Sequence, residues 1–64
     1  MNNSEILKDY YKTRGVNKKA FSLLCGVNGE TLRQIEAYNY LPTKDVVNKI
    51  NTELKKQNYD KYIS

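Results

Sequence analysis

The chain has 64 residues and a formal net charge of +4, with 39% hydrophobic and 28% charged residues. That length allows one domain with a small core, and the composition is that of a folding chain rather than a disordered one. No apolar run approaches the ~20 residues that cross a bilayer, and the lone Cys25 can form no intramolecular bridge, which fits a reduced, cytoplasmic setting.

Ser4 is the expected N-cap of a first helix, with Glu5 in the first turn where the helix dipole favours an anion. Ile6, Leu7, Tyr10 and Tyr11 recur at helical spacing, and Gly15 stops the helix after Arg14. Asn17 caps a second helix, whose inner face holds Phe21, Leu24 and Cys25 and which ends at Gly26. Cys25 is expected as a small core residue rather than a reactive thiol. Asn28 opens a third helix, from about Gly29 to Ala37, with Leu32 and Ile35 turned inward.

Tyr38 to Leu41 form a loop closed by the only proline, Pro42. Thr43 then caps a fourth helix, with Asp45 in its first turn and Val46, Val47, Ile50 and Leu54 on one stripe. Gln57 and Asn58 break that helix. Tyr59, Tyr62 and Ile63 form a short fifth helical element over about 58–64, either completing the core or offering a dimer surface. Met1 to Glu5 lack the basic and apolar regions of a signal peptide. No alternating strand pattern competes. The expectation is an all-α fold, a compact four- to five-helix bundle in a single domain over 1–64.

Residues 18–37 carry the most information. Two short helices meet at Gly26-Val27-Asn28, with glycine where the backbone must turn left-handed, and this is the pattern of a helix-turn-helix. The second helix of such a unit is the one ordinarily laid in the DNA major groove. A pI near 9.3 suits a polyanionic partner, although many small domains are as basic.

The ordered set Phe21, Gly26, Val27, Leu32, Ile35, Glu36 and Pro42 resembles the phage-repressor and Cro-like (XRE-type) helix-turn-helix domains, over roughly residues 4 to 54. The resemblance implies a lambda-repressor-like bundle. There are three departures. Ser22 stands where the family usually has alanine at a close helix approach. Tyr11 stands where an arginine usually pairs with the glutamate matching Glu36, so the Tyr11 hydroxyl, or else Lys8 or Lys12, is left to hold Glu36 as a structural link. Gly29 and Glu30 occupy positions that often carry Gln, Ser or Thr.

By that resemblance, the outer face of the third helix projects Glu30, Thr31, Arg33, Gln34 and Ala37 towards the bases. The Arg33 fork matches guanine O6 and N7, Gln34 matches adenine N6 and N7, and Glu30 can accept from cytosine N4. Phosphate contacts fall to Lys18 and Lys19, to Asn28 and Gly29 at the helix start, and to Tyr38, Asn39, Tyr40 and Lys44 around its far end. Lys12 and Arg14 add to the same field. The competing reading of all these side chains is a solvated surface.

With no histidine, no metal-ligand cluster and no glycine-rich phosphate loop, the sequence points away from an enzyme and calls for neither cofactor nor metal. The expected function is a sequence-specific transcription regulator. It would be a Cro-like repressor of a phage or mobile element, occupying an operator in double-stranded DNA, with a homodimer on a palindrome as the common arrangement. Two alternatives stay open: an antirepressor that pairs with a repressor protein, and an excisionase-like architectural DNA binder.

Overall fold

Four helices and no strand make up the computed structural model, which describes residues 1–64: α1 (Asn3–Arg14), α2 (Lys18–Cys25), α3 (Gly29–Tyr38) and α4 (Lys44–Lys56). A side-chain cap begins each one. Asn17 accepts from the Ala20 N–H, Asn28 from the Glu30 N–H and Thr43 from the Val46 N–H. At α1 the cap is Asn2 rather than Ser4. Its side chain accepts from the Glu5 N–H at 2.8 Å while Glu5 accepts from the Asn2 N–H at 2.9 Å, so both orphan donors are satisfied reciprocally. Ser4 sits inside the helix, buried, and its hydroxyl donates to the Glu36 backbone carbonyl.

Helix ends follow the expected punctuation. Gly15 and Gly26 take φ of 65° and 74°, where a side chain would be strained, and turn the chain sharply into the next helix. α3 runs one residue beyond the expected end and stops at Asn39, φ 51°. At the end of α4, Asn58 (φ 59°) reverses the chain.

The core is one cluster of Ile6, Leu7, Tyr10, Phe21, Val27, Leu32, Ile35, Ile50, Leu54, Tyr59 and Ile63. Tyr10 lies near its middle, with its ring 5.1 Å from Phe21 and 5.3 Å from Tyr59. α3 packs on α1 and on α2, and α2 packs on α4, giving a Cα radius of gyration of 10.1 Å. Val46 and Val47 are only half-buried at its margin.

Two expectations need correction. Leu24 is 56% exposed and its neighbour Leu23 78%, because α2 turns Phe21 alone fully into the core. Cys25 is half-buried and packs against the margin of the core, as expected in part, and with Leu24 it also lines a groove of about 250 Å³ that α2 forms with Asn48, Lys49, Thr52, Glu53 and Lys56 of α4. The segment after Asn58 is not a fifth helix. It is an extended tail that drives Tyr59 and Ile63 into the core and leaves Tyr62 48% exposed.

Two asparagine carboxamides replace the helical hydrogen bonds the tail lacks. Asn51 donates to the Ile63 carbonyl and accepts from its N–H, both at 2.9 Å. Asn3 does the same for Ser64, at 2.7 and 3.1 Å. Tyr59 donates its hydroxyl to Asp9. The tail therefore completes the monomer's core, and of the three residues considered for a dimer surface only Tyr62 remains available.

Candidate nucleic-acid interface

The inner side of α3 is fastened at several points. Leu32 and Ile35 are fully buried. The Tyr11 hydroxyl donates to Glu36 Oε2 at 2.9 Å, so of the three partners considered for Glu36 the tyrosine is the one that holds it. Burial first, and then the accepting Glu36 carboxylate, push the Tyr11 phenol well above its ordinary range. It stays a neutral donor at any physiological pH. With Ser4 on the Glu36 carbonyl as well, α1 holds α3 by two side chains.

At the turn, the Ser22 hydroxyl donates to the Val27 carbonyl. A methyl group added at Gly29 would meet only Ser22 Oγ, at 4.0 Å. Ser22 thus serves the close approach of α2 and α3 without crowding it.

On the outer side, Glu30, Arg33 and Ala37 are exposed, while Thr31 and Gln34 are half-buried. Arg33 does not stand free. Its Nε donates to Glu30 Oε1 at 2.9 Å and its Nη2 to Oε2 at 2.6 Å, an i,i+3 pair on the helix surface. The guanidinium also lies over the Tyr38 ring, 5.7 Å from its centroid. The Arg33 guanidinium holds the Glu30 carboxyl below the usual carboxylate range, and the charge of Lys18 adds to the effect.

Among the expected phosphate contacts, Lys19, Asn28, Asn39 and Lys44 are exposed and Lys18 is half-buried. None of the three lysines is in an ion pair, whereas Lys49, Lys56 and Lys61 are paired with Asp45, Glu53 and Asp60. Asn28 spends its side-chain oxygen on the Glu30 N–H and its carbonyl on the Leu32 N–H. The Gly29 and Thr31 N–H groups have no protein partner. Tyr38 and Tyr40 are 71% and 42% exposed, so neither packs into the domain. Arg14 turns away from this face: it donates to the Asn58 carbonyl at 3.1 Å and covers Tyr59.

The outer side of α3 can therefore present a guanidinium held at one edge and two helix-start N–H groups, and Lys18, Lys19 and Lys44 are free of ion pairs. What sequence reasoning missed was the coupling of Glu30, Arg33 and Tyr38. The i,i+3 spacing of opposite charges was the available signal for the first pair, and the one added residue of α3 brought in the tyrosine. Glu53, buried on α4 with Gln57 donating to it at 2.9 Å, also went unnoticed.

Compared with protein-family models, curated proteins and solved structures, the chain has no match.

Proposed function

We propose that α2 and α3 form a helix-turn-helix unit and that the protein is a sequence-specific DNA-binding regulator, Cro-like in mode, that acts by occupying an operator. One observation carries this reading. α1, α3 and α4 each have an acidic residue in the first turn, as the helix dipole favours, but α2 has none and opens on Lys18-Lys19 instead. Two unpaired cations at the positive end of a helix are locally unfavourable and become favourable once an anion settles there. Such a broken local rule is expected where a ligand compensates it. The neighbouring outer face of α3, with Arg33 and Gln34, supplies the donors and acceptors for base edges.

Retention of the purified protein on duplex DNA across a salt series tests this. Affinity should fall with a log–log slope of about −0.9 per phosphate neutralised. Lys18→Ala should weaken all sequences alike and lower the slope by about one. No retention at low salt, or a salt-independent interaction, rejects the reading.

A second reading, an antirepressor-like protein-binding module, is favoured by the exposed Leu23 and Leu24 side by side on α2. Under it, a Leu23→Ser, Leu24→Ser double variant loses a protein partner while DNA retention is unchanged.

A further inference from the structure

The Glu30–Arg33–Tyr38 arrangement gives Glu30 a role separate from reading a base or repelling phosphate. Of the five N–H groups of a guanidinium, the carboxylate occupies the Nε edge: one on Nε and one on Nη2. Both Nη1 hydrogens and the second on Nη2 remain. One hydrogen of Nη1 and that of Nη2 form the end-on edge, whose two parallel donors can pair with guanine O6 and N7. The carbon of the same group lies over the Tyr38 ring, 5.7 Å from its centroid. The Nε edge is thus held by Glu30 and the group sits over Tyr38, while the end-on edge carries no carboxylate, on a helix whose own position is fixed by Leu32, Ile35 and Glu36.

We propose that Glu30 is a positioning residue that, with Tyr38, presents Arg33 as a preformed fork for one guanine in the major groove. This rests on the DNA-binding reading above and names the base and the device. A free arginine must surrender its rotamer freedom on binding, and a preset one has already done so. For one immobilised side chain that is worth about two- to tenfold in affinity. The gain is confined to duplexes with guanine at the right place, because on any other sequence the held fork meets the wrong edge. A carboxylate near the phosphates, unfavourable for general DNA affinity, thereby yields selectivity.

The test is selection of bound duplexes from a library with a randomised centre, using the wild type, Arg33→Ala, Glu30→Gln and Tyr38→Leu. Circular dichroism checks that each variant is folded. The wild type should enrich guanine at one position, and Arg33→Ala should lose that enrichment. Glu30→Gln and Tyr38→Leu should broaden the preference at the same position only, and each should lower affinity for the selected site by about two- to tenfold. Random-duplex affinity should hold for both variants, or rise for Glu30→Gln.

Three results would overturn the positioning role. One is a Glu30→Gln preference altered at a different base pair, which would make Glu30 itself a reader. Another is unchanged guanine preference with uniformly stronger binding, which would leave only phosphate repulsion. The third is wild-type retention on duplex DNA with no guanine preference at all. If the wild type is not retained on any duplex, the DNA-binding reading falls and the positioning role falls with it.

Discussion

Ile63→Ala tests whether the tail is core or a frayed end. Ile63 is 3% exposed, packed in the same cluster as Leu54 and Tyr59, and its backbone is clamped by Asn51. Truncating a buried isoleucine to alanine costs ~2–5 kcal/mol. A chain of 64 residues is expected to have about 3–10 kcal/mol of total stability at roughly 0.05–0.15 kcal/mol per residue. A loss of about 3 kcal/mol is therefore a third or more of the whole. For a domain of this size it lowers Tm by about 12–24 °C.

The neighbour supplies the control. Tyr62 is 48% exposed, so Tyr62→Ala should stay within about 0.5 kcal/mol of the wild type. Thermal unfolding followed by far-ultraviolet circular dichroism measures both. An Ile63→Ala protein that melts within a few degrees of the wild type would show that the tail contributes nothing to the fold. The alternation of buried and exposed residues along it would then have no energetic content.

Leu32→Ala, at the fully buried centre of α3, should cost ~2–5 kcal/mol, and an unchanged denaturant midpoint would refute the register of that helix. Gly29→Ala should raise the same midpoint by about 0.4–1 kcal/mol of stability, since a Cβ there meets only Ser22 Oγ at 4.0 Å and φ is not left-handed; a loss would reveal crowding at the α2–α3 approach. Burial, then the hydrogen bond to Asp9, push the Tyr59 phenol up to about 12, against about 10 for a free tyrosine. The folded chain thus keeps a proton that the unfolded one releases, so stability is whole below about pH 10 and falls as pH climbs towards about 12. Tyr10 and Tyr11 are shifted the same way, so Tyr59→Phe should make the fall in Tm shallower without abolishing it; an identical slope would detach Tyr59 from the effect.

Four helices were legible in the sequence because each carries its own local signals. Asn17, Asn28 and Thr43 cap their helices, and Gly15 and Gly26 end theirs as left-handed residues. Ser4 was misjudged as a cap because Asn2, two residues earlier, has the same chemistry plus a glutamate three residues on. Leu24 was misplaced because an eight-residue helix offers little more than two turns, too few for spacing to distinguish a core face from its margin. The tail was illegible for a different reason. Its hydrogen bonds go to Asn51 and Asn3, residues 12 and 61 positions away, and no local pattern encodes such partners. At the candidate interface the residue types were readable, but their coupling was not. Whether Glu30 projects to solvent or closes on Arg33 depends on rotamers, and Tyr38 entered only because α3 runs past Ala37.

Under the proposed function, holding and reading fall to different elements. Glu30 and Arg33 neutralise one another, so the outer face of the helix adds little net charge to the field a polyanion would feel. Unpaired positive charge lies instead on other elements, including Lys18 and Lys19 at the start of α2 and Lys44 at the start of α4. Counterion release depends on how many phosphates are neutralised, not on which bases lie between them. Base discrimination depends on the aim of a few donors and acceptors, not on total charge. With holding and reading assigned to different elements, salt dependence should follow the lysines and base preference should follow Arg33. A Lys18 or Lys19 variant that shifted base preference along with the salt slope would show that the neutral pair on α3 is not the reading device.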